Sequence, residues 1–329
     1  MIHVVGFVDT DASATSPRCI GSAHRQFLGK KPLRQKAALT ALMVFALGLV
    51  TVSTASPVGS VEAGLACLCV LGRLRVSDAG RIKFIDQEPL FDRGALVGGF
   101  PEAAAVSTKT AKSKEKKTIF LPIVVPMFGL SGLNWWQAFV DARRSLGMAE
   151  LGSATEGEFF AILADGVPLL PRRLRDGLWS AQPAKADEVT AMLLRLLASV
   201  GCEAAALKEV ASHSMEATLL SMAAKHGVDL RTRRLLGYHV VKGESALNYG
   251  REHLGVPVHE LEKLLDAVRA GSFLPDATRA RRRPLERGEG VKSLRQQFEE
   301  WQGCSVEEFM RRGRSNSAES TKPGNFLSS

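Results

Sequence analysis

The run from Ala37 to Val61 carries no formal charge, and a second apolar stretch, Val61 to Leu74, follows it directly. A chain with this feature can do one of two things. It can lay the run across a bilayer, or it can bury two helices in a protein interior. Lys30, Lys31, Arg34 and Lys36 precede the run, as a positive flank precedes a membrane span. Thr40, Thr51, Ser53, Thr54, Ser56 and Pro57 dilute it, its second half is weakly apolar, and it begins too deep for a secretory signal. We therefore read buried helices and set aside a membrane anchor over 37–56. The first helical pattern runs from Pro32 through Leu39, Leu42, Met43, Ala46 and Leu47 and ends near Pro57.

The remaining 255 residues after Leu74 (329 − 74) divide into a short β region and a long helical one. Arg81 to Asp86 alternates as a half-buried strand does, Glu102 to Val106 is a weaker strand, and Thr118 to Val125 is a strong one. A lysine-rich turn, 109–117, joins the last two. Helical spacing then recurs over 134–146, 156–163, 184–199, 203–210, 214–226, 230–236, 244–254 and 258–270, with a connector at 168–177. Asp229 is a fitting N-cap and Gly255 a fitting stop. After Pro275 the composition turns arginine-rich, then rich in Ser and Asn, with one helix expected at 291–301. The expected fold class is thus mainly α with a small three-stranded antiparallel β-sheet. The expected organisation is a loose leader at 1–30, one domain at 31–275 (β-hairpin 97–125, helical half 134–270) and a basic, largely disordered tail at 276–329.

The net charge of +9 points to a polyanionic partner such as nucleic acid or an anionic membrane surface. Cys19, Cys67, Cys69, Cys202 and Cys304 are odd in number and scattered. Cys67 and Cys69 lack the spacing of a zinc knuckle, so reduced thiols are expected and no metal site.

The segment His213 to Tyr249 holds a histidine, the arginines Arg231, Arg233 and Arg234, a Gly237-Tyr238-His239 turn and a tyrosine. Taken singly, each has an ordinary reading: a capping histidine, a solvated basic helix, a packed tyrosine. Taken together they supply a nucleophile, phosphate-binding cations and proton carriers. Upstream, Arg75 follows an apolar helix in Leu74-Arg75-Val76-Ser77-Asp78, and Lys109 lies in Thr108-Lys109-Thr110 on the expected hairpin.

In that order the set resembles the catalytic domain of the tyrosine recombinase, or phage integrase, family, over roughly residues 60–270. Leu74 to Asp78 is similar to the family's first arginine motif. Gly227-Val-Asp-Leu-Arg-Thr-Arg-Arg-Leu-Leu-Gly-Tyr-His239 is similar to the segment that precedes its nucleophile. The resemblance implies a double-stranded DNA partner, a homo-oligomer on DNA, a nuclear or nucleoid location, no cofactor, and strand cleavage and rejoining through a phosphotyrosyl link. Tyr249 is the implied nucleophile and Arg75 the implied phosphate clamp. Lys109 is the implied acid, and His213 and His239 the implied proton-handling residues. The chain departs from the pattern at Glu216, which stands where the histidine's box carries an arginine, and in the short stretch before the catalytic region. A carboxylate 4 Å from a phosphate costs roughly 4 kcal/mol at an effective dielectric of 20.

Overall fold

The computed structural model describes residues 36–53, 56–105, 121–148, 161–162, 169–174, 179–238, 254–277 and 292–315. All the elements below belong to the unit Ala37–Ser329; the other unit, Met1–Lys36, lies outside the described residues except for Lys36. The expected leader is therefore not described.

The uncharged run forms two helices, α1 (Ala41–Val52) and α2 (Pro57–Leu71). Thr40 caps α1, its hydroxyl accepting from the Met43 amide at 3.2 Å, and Ser56 caps α2 in the same way through Gly59. Pro57 opens α2 at its first turn, where a missing N–H costs nothing. The sequence pattern treated the same proline as the end of the first helix. Among the described residues no helix is long and apolar enough to cross a membrane.

Helix α2 is buried from Ser60 to Leu71 on every face, which is what an all-round apolar helix requires. It packs against α1, against α4 (Trp135–Ser145), against α5 (Ala186–Ser199) and against α7 (Ser212–His226). Its one charged residue, Glu62, is buried and receives Arg195 Nη2 at 2.7 and 2.6 Å and Arg173 Nη1 at 3.5 Å. Glycine at position 64 lets α4 approach closely: a Cβ there would stand 2.5 Å from Phe139 Cδ2. Trp135, Trp136 and Phe139 fill that contact, and the Trp135 indole donates to the Pro126 carbonyl at 2.9 Å.

A single-turn helix, α3 (Val76–Ala79), leads from α2 into the sheet. Strands β1 (Ile82–Asp92) and β2 (Ala95–Ala105) pair antiparallel, with Asp92 opposite Ala95. The two-residue turn between them has positive φ at Arg93 and Gly94, as the favoured hairpin turns demand. β3 (Leu121–Val124) pairs with β2, Glu102 facing Val124. The expected three-stranded antiparallel sheet is present, and a two-residue β4 (Ala161–Ile162) extends it on the far side of β1. Residues 161–162, expected in a helix over 156–163, instead cover part of an otherwise open strand edge. β5 (Pro171–Arg173) falls in the expected connector and pairs antiparallel with β6 (Trp179–Pro183) just beyond it.

In the helical half, α6 (Ala204–Leu207), α8 (Leu230–Leu236) and α9 (Gly255–Arg269) join α4, α5 and α7 where helices were expected, while the expected helix over 244–254 lies outside the described residues except for Leu254. Gly255 begins α9 rather than ending a helix before it. Within the expected basic tail, α10 (Leu294–Gln302) forms where one helix was expected at 291–301, and α11 (Val306–Ser315) is a second helix that the sequence reading did not expect. Phe298 of α10 is fully buried against Phe45 of α1 and Phe309 of α11, at 4.9 and 5.2 Å between centroids.

Gly64→Ala forces Phe139 or the α2–α4 spacing to move, and overpacking of this kind costs about 1–3 kcal/mol. Urea unfolding of the full chain measures the loss. A variant as stable as the parent would mean that the two helices can part without cost.

Candidate functional site

Helix α2 stops in a tight reversal. The Arg73 amide donates to the Val70 carbonyl at 3.1 Å and the Leu74 amide to the Cys69 carbonyl at 2.9 Å, the two bonds of a Schellman stop. Such a stop usually has glycine at its left-handed position; here Arg73 occupies it, with φ 52°. A side chain in that conformation costs roughly 1–2 kcal/mol. The reversal throws Arg75 out of the core to the start of α3, half-buried, facing the first turns of α7.

The start of α7 is held firmly. The Ser214 hydroxyl accepts from the Ala211 amide at 3.0 Å, Thr190 accepts from the Ser212 amide at 3.0 Å, and Thr218 accepts from the Leu39 amide at 3.0 Å. This anchoring places His213 outward and Glu216 one turn on, toward Arg75. Arg75 Nε donates to Glu216 Oε1 at 3.0 Å across 141 residues of sequence, and His213 Nδ1 lies 3.9 Å from Glu216 Oε2. Of the five expected site residues, Arg75 and His213 therefore meet on one carboxylate. Lys109, His239 and Tyr249 lie outside the described residues.

The carboxylate changes what this corner can do. Arg75 is the cation expected to bind non-bridging phosphate oxygens through its planar fork. Its Nε already serves Glu216, and the pair together carries no net charge. Nor does α8 project all its arginines: Arg233 Nε turns back to the Val228 carbonyl of its own N-terminal loop at 3.0 Å. Arg231 and Arg234 are exposed. Two clefts of about 490 and 520 Å³ lie between β2 and α9. The first is lined by Glu88, Glu102 and Glu262, the second by Glu262 and Asp266 beside Lys263 and Arg269. The first cleft thus gathers three carboxylates, and the second sets two carboxylates against two cations.

Two residues that the sequence reading gave no role lie directly behind that corner. Arg73 turns inward, fully buried, and donates to the carbonyls of Leu236, Leu71 and Val124 at 2.9, 2.5 and 3.3 Å. It also reaches the Tyr238 hydroxyl at 3.1 Å, and that hydroxyl donates to the Gly72 carbonyl at 2.7 Å. Burial pushes the Tyr238 phenol above its usual range, Arg73 partly offsets this, and Asp78 adds to the rise. The two arginines of Arg73-Leu74-Arg75 part because the left-handed backbone at Arg73 turns the chain between them. Among the described residues no group of His, Cys, Asp and Glu could hold a metal ion.

No protein-family model matches the chain, and no curated protein matches it.

Glu216→Gln removes the charge from a half-exposed pair, so stability should change by about 1 kcal/mol or less. The difference should shrink as salt is raised. Denaturant titrations at low and high ionic strength check both points; a loss of several kcal/mol would make the pair a structural clamp rather than a surface contact.

Proposed function

We propose that this chain binds double-stranded DNA and cleaves and rejoins it in the manner of the tyrosine recombinases. One observation carries the reading: Arg75 and His213, named from sequence and far apart in it, both approach the Glu216 carboxylate. The mainly helical architecture with its small antiparallel sheet and the net charge of +9 are in keeping with it. In the proposed step the Tyr249 hydroxyl oxygen attacks the phosphorus of a DNA phosphodiester. The new tyrosyl O–P bond forms as the bond to the 5′ oxygen breaks, conserving the ester for religation. Lys109 protonates the departing 5′ oxygen, while His213 and His239 carry the phenolic proton and steady the phosphate. Arg75 takes the non-bridging oxygens. Those residues supply nucleophile, acid and cation, so no cofactor takes part. The protein works as a homo-oligomer on DNA, in the nucleus or nucleoid.

A second reading is a DNA-binding remnant of the same fold, and the Arg75–Glu216 pair favours it. For Arg75 to reach a phosphate it must leave Glu216, and the freed carboxylate then faces the new anion.

A nicked duplex pool of random sequence, which traps any phosphotyrosyl adduct, separates the two. A covalent adduct that Tyr249→Phe abolishes establishes cleavage. Glu216→Arg should raise its rate by as much as about a thousandfold, the equivalent of roughly 4 kcal/mol. Salt-sensitive binding with no adduct, in both the parent chain and Glu216→Arg, would leave the remnant reading standing.

A further inference from the structure

Among the described residues three side-chain-bearing positions have left-handed backbone: Arg73, Arg93 and Tyr238. Arg93 lies in the β1–β2 turn, where the turn itself asks for that conformation. Arg73 and Tyr238 share a different setting. Each stands just past the end of a helix, α2 and α8, at the position where glycine is usual. The Tyr238 amide donates to the Leu235 carbonyl at 3.0 Å, repeating the bond that the Arg73 amide makes to Val70. The two bulky residues placed at glycine positions are also in contact with each other. Arg73 Nη2 lies 3.1 Å from the Tyr238 hydroxyl, and its guanidinium carbon sits 5.6 Å from the centre of the phenol ring.

Strained backbone persists where the surroundings repay it, and here the repayment is a set of bonds between segments. The buried guanidinium gathers three of them: the α2 stop through Leu71, the α8 stop through Leu236 and Tyr238, and strand β3 through Val124. The phenol closes the ring by donating to Gly72. Two of the segments adjoin residues of the proposed chemistry: the first runs straight on into Arg75, and the second ends next to His239 in the sequence.

We infer that Arg73 and Tyr238 form a positioning clasp that fixes the α2 stop, the α8 stop and β3 relative to one another, and with them Arg75 at the end of the first segment. The clasp is a property of the fold, while its effect on cleavage rests on the function proposed above. Neither residue touches the reacting atoms; each acts through the segments it holds.

Two variants of the full chain test this. Tyr238→Phe keeps the ring and removes the hydroxyl. Arg73→Gly removes the guanidinium while leaving a residue that takes the left-handed stop without strain. Should Arg73→Gly fail to fold, Tyr238→Phe carries the test alone. Amide hydrogen exchange is followed across the chain, together with single-turnover adduct formation at saturating random-sequence nicked duplex and the affinity for that duplex. Exchange should speed up jointly at 72–79, 121–128 and 229–238, with α1, α5 and α10 unchanged. Adduct formation should slow by about tenfold to a hundredfold with affinity held, as small misplacements do. Exchange unchanged at 121–128 and 229–238, or raised equally in α1 and α5, overturns the clasp. So does coupled local opening with an unaltered cleavage rate. Coupled opening in a chain whose parent forms no Tyr249-dependent adduct keeps the clasp and rejects cleavage instead.

Discussion

Helix α2 has no solvent face, and that single fact orders the molecule around it. A helix buried on every side must be wrapped, and α1, α4, α5 and α7 do the wrapping. Its one carboxylate must be met by cations brought from elsewhere, because an unpaired buried charge is not tolerated. Arg195 from α5 and Arg173 from β5 meet Glu62, so the helical half and the small second hairpin are tied to the same axis. What leaves the end of α2 is correspondingly well fixed in space. The reversal at Gly72–Leu74 delivers one arginine inward and the next outward, so core and surface are coupled within a few residues.

That coupling gives the Arg75 corner its peculiar electrostatics. A basic protein that places an arginine at an outward corner would ordinarily present a free cation there. Here the carboxylate of Glu216 arrives on the same well-anchored helix turn as His213, and it is Glu216 that takes Arg75 Nε. An anion approaching the corner must compete with a ligand of its own sign that is covalently part of the site. The competition is between a half-exposed pair of modest strength and whatever number of contacts a phosphodiester can add.

Much of the helical half was readable because its ends carry their own signals. Asp229 caps α8 by accepting from Arg231 and Thr232, and Gly227 ends α7 in the left-handed conformation. Apolar spacing between such ends leaves little freedom. The β1–β2 hairpin was harder to see past Asp86, because the outer parts of the strands do not follow a burial pattern. Leu90, Phe91, Leu96 and Val97 are exposed, and the turn uses Arg93 where Asn or Asp would have announced it. Helix α11 escaped notice because its charge and the polar residues beyond it suggested a tail, whereas Phe309 packs on Phe298. At the site, Arg75, His213 and the discordant Glu216 drew notice in the sequence through the motifs they resemble, and the structure brings the three side chains together. The Arg73–Tyr238 contact was not, since it joins two helix ends 165 residues apart through side chains that each look like a poor choice for their backbone.

The burial of α2 also reaches two thiols. Cys67 and Cys69 lie on it, and burial pushes both up to about 12, Cys69 further pressed by Cys67 and Glu216. Only the thiolate is a nucleophile, so at neutral pH these sulfurs are chemically silent while the helix is wrapped. Cys202 and Cys304 are only half-buried, although Cys202 too is pushed up, to about 11. Among the described residues two thiols are thus open in part to solvent and two are sealed in the axis. An alkylating reagent would mark the sealed pair only in molecules whose central helix has come free, which makes those sulfurs a built-in clock for the opening of the core.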